Sequence, residues 1–311
     1  MNGILNVLKP PGMTSHDVVD CIRRLCRLRR VGHAGTLDPG AAGVLIICLG
    51  RATRLARFLQ ALDKTYRAET IFGYRTATQD VFGRVLSRSD ASGLSEAHVL
   101  AVLPRFLGTI SQVPPMVSAL KYRGRKLYDL ARDGIEVPRQ PRQVTVYNIN
   151  VVGAKDWGSH HPRLMLDIAC SKGTYIRTLC ADIGDVLGYG ACLSFLLRLR
   201  VGHFEIKDAC TLEELRDRAA AKRLGQVLIH PDRALAHLVP VEVKEPVSQK
   251  VLHGQRLMEH DLEEPVRSSP GELVRVRCRE RLLAVAEVVA APAGIVLSPV
   301  WVNTKPLQMG E

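Results

Sequence analysis

A short glycine-rich segment brings one carboxylate and one imidazole close together in the sequence. It covers residues 31–43 (VGHAGTLDPGAAG), and its candidate chemical groups are Asp38 and His33. Glycine permits positive φ and close approach of a ligand, and the proline after Asp38 disfavours helix at that position. We therefore predict that Asp38 lies on a tight loop before an apolar strand at 44–49, a common setting for catalytic residues. The alternative is an ordinary Asp-Pro-Gly turn.

The composition predicts a globular protein with a polyanionic partner. The chain has 311 residues, 46% of them hydrophobic, which is enough for one large domain and a small one. Lysine and arginine exceed the acidic residues by 12, and the pI is about 9.5. This charge indicates nucleic acid, with an anionic membrane surface as the competing interpretation.

Several classes of protein find no support in the sequence. No apolar run is long enough to span a membrane and the first residues lack a signal-peptide pattern, so we expect a cytoplasmic protein. The eight cysteines form no C-x-x-C pair, which predicts reduced, mostly buried thiols and no zinc site. Neither phosphate-binding glycine motif of nucleotide enzymes occurs, so nucleotide-cofactor chemistry has no support.

Two basic segments are candidates for RNA contact. A helix capped by Thr14 and Asp17 ends in five arginines within eight residues, at 23–30. Helix-dipole compensation would explain some of them, but their number favours phosphate contact. The segment 121–132 interleaves lysine and arginine with tyrosine, which suits an RNA backbone and stacked bases. The alternative there is a solvated loop with a short helix at 126–132.

Periodicity predicts strands and helices in alternation, then a β-rich C-terminal part. Predicted strands cover 3–8, 44–49, 64–72, 143–152, 164–170 and a pair within 191–204. Predicted helices follow Thr14, cover 52–62 and 95–107 despite Pro104, and end at Leu187. Residues 231–240 are predicted to be a linker, and short strands from Val241 onward predict a module of roughly 70 residues.

Six ordered motifs resemble one known family. They are 9–15 (KPPGMTS), 32–39 (GHAGTLDP), 64–67 (KTYR), 118–128 (SALKYRGRKLY), 134–138 (GIEVP) and 170–177 (CSKGTYIR). Together they are similar to the TruB family, the bacterial tRNA pseudouridine(55) synthases, over about residues 3–215. The C-terminal module resembles, more weakly, the PUA domain that often ends such proteins.

The resemblance implies an α/β (α+β) fold, with a mixed, mainly antiparallel bent sheet flanked by helices. The expected catalytic domain is 1–235, with an RNA-gripping insertion at about 112–142, followed by a PUA-like RNA-binding domain at 240–305. The expected activity is isomerisation of a uridine in the T-loop of tRNA to pseudouridine, without metal or cofactor. We expect the T-arm of tRNA as partner, a monomer with no obligate protein partner, and a possible role as a tRNA-folding chaperone.

The same resemblance implies roles for individual residues. Asp38 would be the catalytic aspartate, Tyr66 would stack on the target base and help proton transfer, and Arg177 would pair with Asp38. Arg177 is then expected to lower the pKa of Asp38. Pocket and RNA contacts are expected from His33, which would occupy the space left by the target base, and from Tyr175, Leu196, Lys9 and Lys121. Gly40 departs from the family pattern, which has leucine after Asp-Pro.

Three other hypotheses remain open at this point. A related guide-RNA-dependent branch shares the loop around Asp38, although segment 118–128 looks bacterial. A non-catalytic RNA-binding protein would need only the basic surface and the C-terminal module. A hydrolase or metal nuclease would want a second acid near Asp38 in the sequence, and none is evident.

Overall fold

The computed structural model describes residues 1–292 and 294–303, so the last two residues of the predicted C-terminal domain, 304 and 305, lie outside it. Eight α-helices occur within the described ranges. They are α1 (Ser15–Cys26), α2 (Ala56–Gln60), α3 (Glu96–Val102), α4 (Leu127–Arg132), α5 (Ile176–Val186), α6 (Leu212–Ala220), α7 (Pro231–Ala234) and α8 (Ser248–Leu252). None of these helices is long and apolar enough to cross a membrane.

The strands form two larger sheets and two small hairpins. Those of the first sheet and the hairpins are β1 (Gly3–Lys9), β2 (Val31–His33), β3 (Ala42–Leu49), β4 (Lys64–Phe72), β5 (Tyr74–Thr76), β6 (Val85–Arg88), β7 (Gly108–Gln112), β8 (Lys121–Tyr122), β9 (Arg125–Lys126), β10 (Arg142–Lys155), β11 (Arg163–Cys170), β12 (Ala191–Val201) and β13 (Phe204–Glu205). Those of the second sheet are β14 (Val239–Glu242), β15 (Leu257–Met258), β16 (Leu273–Cys278), β17 (Arg281–Ala291) and β18 (Gly294–Val302).

The nine-stranded sheet has the order β1-β3-β12-β4-β11-β10-β7, with β2 paired to β3 and β13 to β12. All its pairings are antiparallel except β12 with β3. Helix α5 packs against β4, β11 and β12, and α1 with α6 packs against β1 and β3. The opposite face of β1 and β3 is covered by α2. The central strands are accordingly long apolar runs, such as the buried Val44–Leu49. The predicted mixed, mainly antiparallel α/β fold is confirmed.

The five-stranded sheet, β14-β16-β17-β18-β15, has its own core of buried valine, leucine and alanine side chains. Its Val285 and Trp301 also pack against the core around Phe58. The prediction of a linker at residues 231–240 is wrong. Leu235 is completely buried, and Pro231–Ala234 and Val239–Glu242 form α7 and β14. The loss of hydrophobic periodicity there reflects short elements joined by tight turns.

Two predicted helices are shorter than their periodicity suggested. The segment Gly50–Leu55 is a 3₁₀ helix, and only Ala56–Gln60 is α-helical. In the other, α3 ends at Val102 and Leu103–Phe106 is a 3₁₀ turn, because Pro104 cannot continue an α-helical ladder. The predicted capping box of α1 is present: Asp17 N–H donates to the Thr14 hydroxyl (3.0 Å), and Thr14 N–H donates to the Asp17 carboxylate (2.7 Å).

Gly43 lets the loop that carries Asp38 enter β3 against β12. Its φ is +114°, and a Cβ there would lie 2.3 Å from the backbone oxygen of Arg198. Both the left-handed conformation and the space therefore require glycine. The contact matters because β12 pairs with β3 only through Ala42 and Gly43.

We predict that Gly43→Ala lowers the free energy of unfolding by about 3 kcal/mol or more, since backbone rather than a flexible side chain must move. Gly158→Ala is the control, because Gly158 has φ +83° with no atom near the new methyl. Strain alone should make the control cost about 1 kcal/mol. Urea unfolding of both variants measures the difference, and equal costs would contradict the close-packing argument.

Candidate active site

The loop bearing Asp38 is held by hydrogen bonds from the end of β1, from the turn that follows it and from the first residue of α1. The amino group of Lys9 donates to the carbonyls of Met13 (2.5 Å) and Pro39 (3.3 Å), and Gly12 N–H donates to Pro39 O (2.9 Å). Ser15 bonds both the N–H and the carbonyl of Leu37, at 2.9 and 3.2 Å. The Asp-Pro-Gly turn is also present, with Ala41 N–H donating to Asp38 O (3.0 Å). The turn therefore aims the carboxylate.

Arg177, at the start of α5, pairs with Asp38 through two nitrogens. Its Nε lies 2.8 Å from Oδ2 and its Nη2 3.2 Å from Oδ1. The same guanidinium donates to the carbonyls of Thr78 (3.1 Å) and Val117 (2.8 Å). A buried arginine with all these partners is held in one orientation, and it aims the carboxylate in turn. The structure thus brings Asp38 and Arg177 together as the resemblance implies.

The expected direction of the Asp38 pKa is wrong. Burial raises the pKa of Asp38, and the opposing charge and hydrogen bonds of Arg177 do not cancel that effect. The nearby charge of Asp80 raises the pKa further. The carboxylate keeps 40% of its side-chain surface exposed, but protein atoms enclose it on most sides. The loss of water therefore changes the pKa of Asp38 more than the ion pair with Arg177 does.

Asp80 is a second carboxylate at this site that the sequence did not reveal, because it lies 42 residues after Asp38. Its Oδ2 is 3.7 Å from Nη1 of Arg177, while Oδ1 accepts from Thr78 Oγ1 (2.5 Å) and Phe82 N–H (3.1 Å). These bonds commit Asp80 to holding its loop beside Arg177. No group of three potential metal ligands occurs in the described part of the chain.

Strand register places Tyr66 beside the same loop. In the order β3-β12-β4, Arg198 of β12 lies opposite Gly43 on one side and Tyr66 on the other. Tyr66 is buried, with 9% of its surface exposed, and burial raises the pKa of its hydroxyl. The phenol therefore stays protonated at neutral pH and can donate a hydrogen bond.

Two cavities meet at the Asp38–Arg177 pair. The tyrosine cavity, about 610 Å³, is lined by Tyr66, Tyr175 and Leu196 together with both members of the pair. The phenylalanine cavity, about 730 Å³, also contacts the pair and Leu196, and is lined by Phe82, Leu193 and Phe195. Both are in the range of sites that hold small ligands. Tyr175 and Leu196 thus line a cavity that is also lined by the Asp38–Arg177 pair.

The Phe82 ring lies over Gly40, where a Cβ would be 2.3 Å from the ring. This contact explains the departure at position 40: the ring fills the space that a side chain there would need. The ring is nevertheless 75% exposed, so one face of it is available to whatever enters the phenylalanine cavity.

The other predicted contact residues are placed differently. Lys9 has no exposed surface, so it can support the loop but cannot contact RNA directly. Burial lowers the pKa of Lys9 to about 8, against the charge of Asp38. Lys121 is exposed on the hairpin β8–β9 and lines neither cavity. His33 follows the arginines of α1 at the end of β2, with its ring 5.9 Å from His16.

Arg198 is a site residue that sequence reasoning missed. It is 1% exposed, and its guanidinium donates to the carbonyls of Val44 (2.7 Å), Gly35 (3.1 Å) and Thr36 (3.3 Å). These carbonyls flank Asp38 on both sides. The sequence does place this arginine in a mostly apolar strand. Because arginine is rarely buried unless its charge is paired, that position could have indicated a structural role.

The comparisons with known proteins identify the class of enzyme. Residues 23–176 match the family described as TruB family pseudouridylate synthase (N terminal domain), and residues 177–242 match the tRNA pseudouridylate synthase B C-terminal domain. The protein is therefore a pseudouridine synthase, an isomerase that acts on RNA.

Curated relatives narrow this class. The chain is 49% identical to tRNA pseudouridine synthase B of Pelotomaculum thermopropionicum, over 94% of this chain and 93% of the relative. It is 50% identical to the protein of that name from Moorella thermoacetica, over 92% and 93% of the two chains. The chain belongs to the TruB family.

Solved structures share the fold at lower sequence identity. A chain of a Cbf5-Nop10-Gar1 complex is 27% identical with a TM-score of 0.77, covering 96% of this chain and 84% of that one. A chain of an H/ACA RNP bound to a substrate RNA containing 2′-deoxyuridine is 26% identical with a TM-score of 0.73, at the same coverages.

We predict that Arg198→Met lowers the free energy of unfolding by about 3 kcal/mol, since three loop carbonyls lose their donor. The same change should lower kcat, because those carbonyls position Asp38. Arg200→Met is the matched control: Arg200 is exposed on the same strand and bonds only the Thr65 hydroxyl. Urea unfolding should place the control within about 0.5 kcal/mol of the natural protein. Equal effects of the two substitutions would contradict this role.

A second prediction concerns His33. Burial lowers the pKa of its imidazole from 6.5 to about 4. The unfolded chain therefore binds the proton first as pH falls, so stability is complete above pH 6.5 and declines toward pH 4. Between pH 7.5 and 5.5 the natural protein should lose about 1 kcal/mol more than His33→Phe, which does not titrate. Urea unfolding at both pH values tests this, and parallel losses would refute it.

Proposed function

We propose that this protein is a tRNA pseudouridine synthase that modifies uridine 55 in the T-loop. The observation that carries the proposal is Asp38, held by Arg177 where two cavities meet. The substrate is supported by the relatives named tRNA pseudouridine synthase B, at 49–50% identity, against 26–27% for the chains of H/ACA assemblies. The net charge of +12 suits a polyanionic substrate.

The chemistry needs a flipped nucleotide and a carboxylate. Unstacking the target uridine costs a few kcal/mol, which stacking on Tyr66 and phosphate contacts would offset. Asp38 then acts at C1′ or at C6 of the base while the C1′–N1 bond breaks. The base turns, a C1′–C5 bond forms, C5 loses its proton and N1 gains one, so the product is an isomer.

The environment of Asp38 suits this work. Burial removes water from the carboxylate, which raises its pKa and leaves it more reactive than a fully solvated carboxylate. Arg177 supplies the compensating positive charge and fixes its direction. Tyr66 contributes its ring and a neutral hydroxyl. Tyr175 and Leu196 enclose the base, and no step calls for a metal or organic cofactor.

The remaining parts of the chain act on the rest of the RNA. We assign residues 1–235 to catalysis and the segment 112–142 to gripping the T-arm, where Lys121, Arg123 and Arg125 of the hairpin are exposed. The segment is tied to the site through Val117, whose carbonyl accepts from Arg177. The five-stranded sheet is the PUA-like RNA-binding part. We propose a cytoplasmic monomer that needs no guide RNA and no protein partner.

We predict that Asp38→Asn reduces pseudouridine formation in unmodified tRNA by about 10³-fold or more, since the amide cannot act as a nucleophile or charge partner. Sequencing that maps pseudouridine in the T-loop is the measurement. The variant should bind tRNA within about threefold of the natural protein, because the amide keeps the shape of the site.

Other results would select the alternatives. Full activity of Asp38→Asn would refute the role of the aspartate. Modification only after addition of a guide RNA would assign the protein to the other branch, and tight binding by the natural protein without product would indicate a binding protein. Refolding of misfolded tRNA by Asp38→Asn tests the proposed chaperone role separately from catalysis.

A further inference from the structure

Three arginines converge at the junction of the two larger sheets, far from Asp38. They are Arg30 after α1, and Arg51 and Arg54 in the 3₁₀ helix that follows β3. Together with Trp301, Val302 and Asn303 of the second sheet they line a cavity of about 140 Å³. The three-arginine pocket, as we call it, has no part in the chemistry described above.

The backbone that carries these arginines is held in place. The carbonyl of Arg30 accepts from Gly50 N–H (2.8 Å), and Arg51 N–H donates to the side-chain oxygen of Asn2 (2.9 Å). Gly50 has φ +59°, and a Cβ there would lie 2.3 Å from that same oxygen. The backbone at Arg30 and the backbone at Arg51 are therefore held side by side, although β2, the Asp38 loop and β3 separate the two residues in the sequence.

The second sheet packs against the 3₁₀ helix that carries Arg51 and Arg54. Trp301 is buried in a core shared with Ala52 and Leu55, on either side of Arg54. Asn303 donates its side-chain amide to Leu282 O (3.0 Å), which fixes the end of β18. The pocket is thus built by both sheets together.

The positive charge of the pocket has no counterpart among the residues that the structure describes. None of the three arginines forms a salt bridge there, and none of their side chains donates a hydrogen bond. Arg30 and Arg54 are exposed and Arg51 is half-buried, so their guanidinium groups are accessible to a ligand. Converging guanidinium groups repel one another, so an anion that they share would relieve the repulsion.

The shape of the pocket selects the kind of anion. A volume of about 140 Å³ is far smaller than either cavity at Asp38. Because Trp301 is buried, it offers no open ring face on which a base could stack. Guanidinium forks match the oxygens of a phosphate. The pocket thus fits a backbone phosphate rather than a base.

The distance from the active site indicates which substrates can use it. Strand β3 begins beside the Asp38 loop at Ala42 and ends at Leu49, next to the pocket. At about 3.3 Å per residue its ends lie roughly 23 Å apart. RNA that places its target base beside Asp38 must extend for several nucleotides to reach the arginines. A stem-loop too short to span this distance could not make the contact.

We propose that the three-arginine pocket binds one RNA backbone phosphate of the substrate, outside the part that enters the active site. The contact gives the enzyme a preference for full-length RNA over a minimal stem-loop. This inference rests on the proposed function insofar as the substrate is tRNA. Its test is a binding measurement that does not require catalysis.

The experiment compares Arg51→Gln/Arg54→Gln with the natural protein. Kd is measured for an unmodified tRNA transcript and for a short T-arm hairpin, across a series of salt concentrations. We expect the variant to bind tRNA about tenfold more weakly, with the slope of log Kd against log salt reduced by roughly one. Binding of the hairpin should stay within twofold, and kcat on both RNAs should be unchanged.

The matched control is Arg105→Gln/Arg216→Gln, which removes the same charge from exposed arginines elsewhere in the chain. It should leave both Kd values within twofold, and equal thermal midpoints for all three proteins would show that folding is intact. Unchanged tRNA binding by the pocket variant would overturn the proposal, as would equal weakening for tRNA and hairpin or for pocket and control variants. Failure of the natural protein to form pseudouridine would overturn the proposed function alone, because the binding comparison does not depend on it.

Discussion

The arrangement of the active site depends on one buried cation. Arg198 lies on β12, between β3 and β4, and forms no salt bridge with any carboxylate of the described residues. Its guanidinium donates instead to backbone carbonyls on both sides of Asp38. A guanidinium with five donors can hold several carbonyls at once, which an apolar side chain in the same strand cannot do. The loop, the parallel contact of β12 with β3, and the position of Tyr66 all follow from this contact.

The electrostatics of the site have a common origin. Lys9, Lys64 and Arg198 are all buried near a single reactive carboxylate, and burial lowers the pKa of each of the two lysines to about 8. The Lys9 amino group donates to the carbonyls of Met13 and Pro39 and so supports the Asp38 loop, whereas that of Lys64 donates to the carbonyl of Gln60. Among the described residues, Arg177 is the one cation that forms a salt bridge with the Asp38 carboxylate. The protein thus surrounds Asp38 with positive charge while keeping it reactive, an arrangement that favours a substrate bringing its own negative charges.

The sequence predicted much of the fold and the main part of the site for identifiable reasons. Apolar alternation and long apolar runs located the central strands, and the motifs around Asp38, Tyr66 and Arg177 located three residues that register then brings together. Asp80 and Arg198 were missed because their roles arise from contacts with Arg177 and with the Asp38 loop over 97 residues or more, which periodicity does not record. The helix that ends before Pro104 and the region 231–240 were also predicted wrongly. Short elements joined by tight turns have no hydrophobic period from which their bounds could be found. The direction of the Asp38 pKa depended on burial, which a motif does not reveal.

The contact between Gly40 and Phe82 links two loops that are 42 residues apart. Neither position can change freely while the other stays the same: a larger residue at 40 meets the ring, and a smaller one at 82 leaves space above the glycine. Exchange toward the leucine that the family pattern has at position 40 therefore requires the exposed Phe82 ring to turn away or to be replaced. Residue choices at the two positions are thus coupled at the edge of this active site.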